Sequence, residues 1–265
     1  IQRETEGAID AYRLAVRIDP NDAKAWYHLG LAYRKKGKSE EAIEAWERAV
    51  TADPDHTKAW ASLGLVYDEK GNQEEAMDAY QRALRIDPDY AQVWYNLGIA
   101  FVETGELEEA INAFKQAVKA DPDYAHAWHN LGVALTEKGE LEEAINAFKQ
   151  AVKNDPNATK AWASLGLAYY KKWKIEEAKD AFGQAVKVDP NNANAWYNLG
   201  IAYDDKGELE EAINAWEQSV RIDPKDAEAW NNLGVAYYEK GKLEEIYKYC
   251  QADVDGDCDI DPMDI

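Results

Sequence analysis

One fixed repeat period constrains this chain more than any other feature. Seven tryptophans recur every 34 positions without an insertion or deletion, and a Leu-Gly pair follows each of them three residues later. An Asp-Pro pair recurs at the same interval. Repetition at this length predicts stacked supersecondary units, each of which buries its apolar face only against its neighbours. The seven tryptophans are Trp26, Trp60, Trp94, Trp128, Trp162, Trp196 and Trp230.

Each unit predicts two helices. In one copy, apolar residues at helical spacing place a first helix over about residues 195–206. Gly207 predicts its end, because glycine readily adopts the positive φ of a helix C-cap. A second helix over about residues 209–222 ends at Asp223, since the residue before a proline avoids the α region.

The unit resembles the tetratricopeptide repeat, whose pattern is Trp-x2-Leu-Gly-x2-Tyr, then a small alanine, an aromatic residue and a closing proline. The resemblance covers about residues 1–250 and implies an all-α, right-handed superhelix of antiparallel helix pairs. We expect an N-terminal half repeat at 1–22, seven units at 23–252 and an acidic segment at 253–265. In the last unit, a first helix at Ala227–Lys240 should precede a short second helix.

Composition excludes several classes of function. With 51 acidic and 30 basic side chains, the formal net charge is −21, which excludes a simple nucleic-acid binder and disfavours anionic lipid surfaces. No apolar run is long enough to span a membrane. The first residue is not methionine, so we expect a processed chain or a piece of a longer one. Because no phosphate loop, nucleophile elbow or Cys/His catalytic pair is present, we predict a non-enzymatic protein.

Stepping by one repeat period along the first helices defines three rows. One row is wholly apolar, which excludes the family mode that clamps a terminal carboxylate with polar side chains; its members are Leu31, Leu65, Ile99, Val133, Leu167, Ile201 and Val235. Family members that hold an extended peptide by its backbone carry asparagines in another row, because an amide both donates and accepts hydrogen bonds. His28, Ser62 and Ser164 interrupt that row here. Apolar residues at helical spacing are also what a buried core requires, so core packing is the alternative.

The resemblance thus implies a concave groove that holds an extended peptide or polymer. Its predicted partner-binding residues are the tyrosines, histidines and asparagines of the two polar rows: Tyr27, His28, Tyr95, Asn96, His129, Asn130, Tyr197, Asn198, Asn231 and Asn232.

Trp173 departs from the repeat, because it stands where the other units have a glycine between their two helices. One interpretation is a slightly different turn with the tryptophan packed over it. The other is an exposed aromatic anchor for a partner.

Neither end of the repeat array has an obvious polar cap, which solenoid ends usually need. Truncation explains this. The alternative is self-association, in which one protomer's end covers the next protomer's start; such head-to-tail contacts can build filaments.

The C-terminal segment resembles the calcium loop of EF-hand and dockerin-type modules. Acidic residues occupy loop positions 1, 3, 5, 9 and 12, a backbone carbonyl serves position 7, and Ile260 fits the apolar position 8. Cys258 replaces the usual glycine, and no exit helix follows in the chain. A disordered acidic tail is the alternative. The predicted Ca²⁺ ligands are Asp253, Asp255, Asp257, Asp259, Asp261 and Asp264.

Cys250 and Cys258 are the two cysteines of the chain. They make a poor zinc site, because no further Cys or His stands nearby in sequence. We predict a disulfide between them, and a disulfide with calcium points to an extracellular or cell-surface protein.

The sequence therefore predicts an extracellular scaffold that self-associates, holds an extended partner, or does both, with a calcium-stabilised end. One alternative is a monomeric cytosolic adaptor that binds a peptide. Another is the substrate-recruiting arm of an enzyme whose catalytic domain lies outside this chain.

Overall fold

The computed structural model describes the backbone of residues 2–252 and the side chains of residues 4–242. This part of the chain holds fourteen α-helices and no strand, which confirms the predicted all-α class. The chain divides into two compact units, Ile1–Asn154 and Asp155–Ile265. The helices are α1 (Gln2–Ile18), α2 (Ala23–Lys35), α3 (Ser39–Ala52), α4 (Thr57–Glu69), α5 (Gln73–Ile86), α6 (Ala91–Thr104), α7 (Leu107–Ala120), α8 (Ala125–Lys138), α9 (Leu141–Asn154), α10 (Thr159–Lys171), α11 (Ile175–Val188), α12 (Ala193–Asp204), α13 (Leu209–Ile222) and α14 (Ala227–Ala252).

The helices pack as the repeat predicts. In the first unit α2 pairs with α3, α4 with α5, α6 with α7 and α8 with α9, while α1 packs on α2 as the second helix of a half repeat. In the second unit α10 pairs with α11 and α12 with α13. We call α2, α4, α6, α8, α10, α12 and α14 first helices, and we call α1, α3, α5, α7, α9, α11 and α13 second helices.

Within each pair, an aromatic ring of the second helix lies directly on a glycine of the first. A Cβ built on Gly98 would lie 2.6 Å from the Phe114 ring, which is too close for any real side chain. The two helices therefore approach as closely as they do only because that position has no side chain. The same contact recurs in six pairs: Gly30 with Trp46, Gly64 with Tyr80, Gly98 with Phe114, Gly132 with Phe148, Gly166 with Phe182, and Gly200 with Trp216.

The turn inside each pair needs a left-handed residue. Five of these turns use glycine, with φ between 73° and 87°: Gly37, Gly71, Gly105, Gly139 and Gly207. The turn between α10 and α11 instead places Trp173 at φ 57°, the one non-glycine residue with positive φ among the described residues. For a residue with a Cβ, this conformation costs about 1–2 kcal/mol.

The linker between pairs is held by two hydrogen bonds that recur with the repeat. The indole Nε1 of Trp94 donates to the carbonyl of Pro88 at 2.8 Å. The side chain of Asp87 accepts from the backbone N–H of Asp89 at 3.1 Å. Equivalent bonds are present from Trp26 to Trp230, so every described linker keeps one geometry.

Ion pairs join successive repeats at the edge that carries the intra-pair turns. Every repeat except the one with Thr104 has a lysine just before the turn position, and five of these lysines reach a glutamate near the N-terminal end of the preceding second helix. Exposed pairs of this kind stabilise by about 0–1 kcal/mol each, so they tune the stacking rather than cause it. The pairs are Lys36–Glu6, Lys70–Glu40 and Lys138–Glu108 in the first unit, and Lys206–Glu176 and Lys240–Glu210 in the second.

The last unit differs from the expectation of a first helix at Ala227–Lys240 and a separate short second helix. Instead α14 continues through Gly241 to Ala252. Among the residues with described side chains, no heavy atom lies within 4 Å of a Cβ built on Gly234, so none of their rings packs on this glycine. The aromatic position of the repeat is Cys250 here. Because this repeat has no aromatic ring to stabilise a folded-back second helix, the continuous helix is favoured. A glycine in the middle of that helix destabilises it by only about 1 kcal/mol.

Several sequence predictions lie outside the described residues. They concern the six aspartates of the predicted calcium loop and the Cys250–Cys258 disulfide; of these residues only Cys250 has a described backbone, in α14.

The ring-on-glycine contact makes a testable prediction. Gly98→Ala should destabilise the fold by about 1–3 kcal/mol, because the new methyl group overpacks against Phe114. Gly183→Ala, in the middle of α11 with no neighbour within 4 Å of its Cβ, should instead stabilise by about 0.5–1 kcal/mol. Chemical denaturation of both variants measures the two shifts, and equal signs would contradict the packing argument.

Candidate functional site

The apolar row of the first helices lies at the surface rather than in the core. In the first unit Leu31 is 37% exposed and Val133 is 43% exposed. In the second unit Leu167 is 43% exposed and Val235 is 50% exposed. The other three members, Leu65, Ile99 and Ile201, are half-buried, so the core interpretation fails for the four exposed members and no member is fully buried. We call Leu31, Leu65, Ile99 and Val133 the apolar stripe of the first unit, and Leu167, Ile201 and Val235 that of the second.

Helix geometry explains the exposure. The leucine two positions earlier, such as Leu29, points at the second helix and is 3% exposed. Two residues further along a helix correspond to about 200° of rotation, so Leu31 points away from that contact. First helices also contact one another, α4 with α6 in the first unit and α10 with α12 in the second. Each stripe therefore runs across the surfaces of neighbouring first helices.

The tyrosine row is braced by the residue that precedes the next first helix. The Tyr27 and His56 ring centroids are 4.9 Å apart, and those of Tyr95 and Tyr124 are 5.0 Å apart. The Tyr124 hydroxyl donates to Gln92 Oε1 at 2.9 Å. Burial, aided by the neighbouring Tyr95, raises the pKa of Tyr124 to about 12, so this hydroxyl stays protonated at neutral pH. Sequence reasoning missed His56 and Tyr124, although stepping through the linkers by the repeat period would have found them.

In the first unit, the predicted asparagines are half-buried and already bonded on one side. Asn130 Nδ2 donates to the Tyr95 hydroxyl at 3.2 Å, which joins α8 to α6. Asn96 Oδ1 accepts from Gln92 Nε2 at 3.0 Å. A ring nitrogen of His129 lies 3.2 Å from Asn130 Oδ1. Because an amide offers two donors and two acceptor lone pairs, one such bond does not exhaust it.

The second unit repeats this arrangement with fewer tyrosines. Asn232 Nδ2 donates to the Tyr197 hydroxyl at 3.4 Å, joining α14 to α12, while Asn198 Nδ2 donates to the carbonyl of Asn194 at 2.8 Å. Burial raises the pKa of Tyr197. Asn231 is exposed and lines a depression with Trp230 and Val235.

The two histidines are placed differently. His129 is half-buried against the Phe148 ring, with 5.7 Å between the centroids. His28 is exposed at the N-terminal end of its row, where it stacks on Tyr12 at 5.5 Å. The structure thus brings the predicted groove residues of each unit onto one face, with the apolar stripe beside them.

Crevices of another kind open behind the linker tryptophans. The largest of those described has a volume of about 710 Å³ and is lined by Leu84, Trp94, Phe101 and Gln116, among others. Similar crevices lie beside Trp26 and Trp128. Since they recur with the repeat, they follow from helix-pair stacking and do not mark one dedicated site.

Two further searches concern the described residues alone. There, no three His, Cys, Asp or Glu side chains are grouped so that they could hold a metal ion. Nor does any described helix combine the length and apolar character that crossing a bilayer requires.

Solved structures with the same fold are numerous. YrrB, described as a TPR protein with an unusual peptide-binding site, superposes with a TM-score of 0.65 at 24% identity, over 71% of this chain and 97% of that one. MamA gives a TM-score of 0.58 at 30% identity, over 63% of this chain and 97% of that one. The C-terminal part of a TPR repeat-containing protein from Cytophaga hutchinsonii gives 0.71 at 17% identity, over 88% and 95%. No curated protein matches.

The sequence itself matches one family model over almost its whole repeat region. The match covers residues 1–153 and again residues 125–250. The chain belongs to the tetratricopeptide-repeat family described as the cilia and flagella-associated protein 70 C-terminal domain.

Proposed function

We propose that this chain is a non-enzymatic scaffold that holds an extended peptide or polymer along its first helices. The observation that carries the proposal is the apolar stripe, which is exposed at four first helices, half-buried at the other three, and flanked by amides and tyrosines. Contiguous exposed apolar surface on a folded protein marks an interaction site more often than chance placement. Family membership and fold neighbours support a role in protein interactions.

The repeat spacing sets the kind of partner. Packed helices lie about 8–10 Å apart, which is the length of one three-residue turn of a polyproline-II chain at ~3.1 Å per residue. A peptide crossing the first helices therefore presents one side chain to the stripe at each repeat. Its backbone amides fall opposite the asparagine row, which Asn96 and Asn130 provide in the first unit. Four first helices in that unit accommodate about twelve residues.

One fold neighbour adds support for this class of ligand. YrrB is described as having an unusual peptide-binding site, and it shares the fold at 24% identity. That description concerns YrrB, and it favours a peptide over other polymers as the first probe for this chain.

The stripe predicts the effect of polar substitutions. A labelled twelve-residue peptide with leucine at every third position and neutral polar residues between should bind the intact chain. Leu31→Ser with Val133→Ser should weaken binding at least tenfold, because each buried aliphatic side chain contributes about 1.5–3 kcal/mol. Leu14→Ser with Ile18→Ser, which alters exposed apolar residues of α1, should leave affinity unchanged. Fluorescence anisotropy measures the peptide affinity of both double variants, and an equal loss of affinity in the control pair would contradict the groove proposal.

We further propose that the acidic segment binds one Ca²⁺ through Asp253, Asp255, Asp257, Asp259, Asp261 and Asp264. Its support is the ligand spacing, since hard oxygen donors at those positions suit Ca²⁺. With a Cys250–Cys258 disulfide, this would suit an extracellular or cell-surface protein. A cytoplasmic location is the alternative.

Calorimetry of the unreduced chain tests the calcium proposal. We expect one Ca²⁺ site, lost in Asp255→Asn with Asp257→Asn and kept in Asp10→Asn with Asp180→Asn, which changes exposed carboxylates of α1 and α11. Ca²⁺ at about 100 times its Kd should stabilise the folded state that binds it by about 2.7 kcal/mol. Identical melting in calcium and in chelator, without binding heat, would contradict the proposal.

Self-association is the remaining part of the proposal, and its support is that successive repeats stack through like surfaces, so one copy's repeats could stack on another's in the same way. Sedimentation across a wide concentration range should show species that grow without a fixed stoichiometry, as a head-to-tail contact requires. A monomer at every concentration would instead favour the single-copy adaptor. A catalytic domain encoded beside these repeats would favour the recruiting arm of an enzyme.

A further inference from the structure

Two carboxylates face each other where α4 meets α6. At the preceding joint of first helices, α2 with α4, Glu69 accepts a hydrogen bond from Arg34, 35 positions earlier, at 2.5 Å. The same two positions at the next joint are Asp68 and Glu103. Both lie in the last turn of their helices, where the helix dipole already disfavours negative charge. An ion pair is thus replaced by two like charges.

The described cations do not compensate this carboxylate pair. The charged groups that act on Asp68 are Glu103 and Glu69, and burial, aided by Glu103, raises the pKa of Asp68. The cations of the neighbouring turns are already engaged, Arg34 with Glu69 and Lys70 with a glutamate of α3. The pair therefore carries negative charge that the described structure leaves unbalanced.

Two neutral side chains bring further oxygen atoms to the same joint. Gln73, the first residue of α5, donates from Nε2 to Glu103 Oε2 at 2.6 Å, and its amide acts on Asp68 as well. Gln73 Oε1, Asp68 Oδ1 and the Tyr80 hydroxyl are buried and have no hydrogen-bond partner. Within the described residues, these three oxygens are all the buried side-chain polar atoms without a partner.

Tyr80 is fully buried, at 0% exposure. Its ring packs on Gly64, and burial together with the Asp68 carboxylate raises the pKa of Tyr80, which places the hydroxyl near Asp68. In the other five contacts of this kind the ring is tryptophan, whose N–H donates to a backbone carbonyl, or phenylalanine, which has no polar atom. Burying an oxygen without a partner destabilises a fold, so its presence calls for a bound group.

These departures from the repeat coincide in one place. The other full repeats have leucine, isoleucine or serine at the position of Gln73. The α12–α14 joint repeats the carboxylate pair as Asp204 and Glu239, and burial, aided by Glu239, raises the pKa of Asp204. Yet Leu209 and Trp216 stand there in place of the amide and the phenol. The neutral oxygens are thus added to one carboxylate pair and not to the other.

We propose that Asp68, Gln73 and Glu103 bind one hard divalent cation, with Mg²⁺ as the best fit, and that the Tyr80 hydroxyl supports its water shell. Two carboxylates balance the charge of the ion and the amide oxygen adds a neutral ligand, which are the donors that Mg²⁺ and Mn²⁺ prefer. Mg²⁺ keeps several waters, whereas Ca²⁺ takes about six to eight oxygens, more than this joint offers. A lysine or arginine of a partner fits less well, because two of the ligand oxygens are buried.

The site lies beside the proposed groove without being part of it. Asp68 and Glu103 follow the stripe residues Leu65 and Ile99 by about one helical turn. A bound ion joins α4, α5 and α6 and so fixes the spacing of two groove helices. Its two carboxylates and neutral oxygens differ from a cluster of three His, Cys, Asp or Glu, of which the described residues hold none.

Manganese binding tests the site without a peptide, so the result does not depend on the groove. The full chain carries Asp255→Asn with Asp257→Asn, which removes the predicted calcium loop from the count. Electron paramagnetic resonance of free Mn²⁺, at about 0.15 M salt to screen diffuse charge, should show one saturable site per chain. Mg²⁺ should displace the Mn²⁺ at lower concentration than Ca²⁺ does. No saturable site, or tighter binding of Ca²⁺, would overturn the proposal.

Three variants of that chain locate the ion. Gln73→Leu, the residue of most other repeats, keeps the net charge and should weaken Mn²⁺ binding at least tenfold. Asp68→Asn with Glu103→Gln should abolish binding. Asp204→Asn with Glu239→Gln removes the same charge from the second pair and should bind as the parent does. Unchanged binding in Gln73→Leu, or equal losses in both double variants, would reduce the effect to general acidity and overturn the site.

Thermal melting separates a lost ligand from a damaged fold. In chelator, Gln73→Leu should melt no lower than the parent, because it removes a buried oxygen that has no partner. Mg²⁺ should raise the Tm of the parent by about 2–4 °C and leave that of Gln73→Leu unchanged. An equal rise in the two chains would contradict a site at this joint.

Discussion

Each helix pair depends on one contact, an aromatic ring lying where a glycine has no side chain. In six helix pairs the ring occupies the volume that a Cβ would need, so it fixes where the first and second helices touch and how closely they approach. The tryptophan–proline and aspartate hydrogen bonds of the linkers then transmit that geometry to the next pair. Where the ring is missing, at Gly234, the second helix does not fold back and α14 runs on.

Sequence periodicity predicted the helix pairs, their turns and most of their ends, because those follow from residues that recur in every repeat. It failed for features that depend on packing between repeats or on one altered repeat. The spacing could not tell whether Leu31 and Val133 are buried, since exposure depends on how neighbouring first helices pack. Gly241 looked like another turn glycine, but the helix passes through it in the repeat whose aromatic position is occupied by Cys250.

The candidate site likewise has features that the sequence predicted and features that it could not predict. The asparagine row was readable from the family pattern, but its hydrogen bonds to Tyr95 and Tyr197 were not, because they join side chains 35 residues apart. Trp173 stood out as a replacement for glycine. Its exposure shows that the ring is not buried over the turn, and its positive φ shows that the turn keeps the geometry of the glycine turns; binding of a partner there stays a prediction.

The uniform linkers have an evolutionary consequence. Residues 105–119 and 139–153 are the same fifteen amino acids, and the joints on either side of them share one hydrogen-bonding geometry. Unequal recombination between such segments removes or inserts one complete repeat while leaving each junction chemically unchanged. The length of surface offered to a ligand can therefore change by whole repeats in one genetic event, without a new fold having to be found.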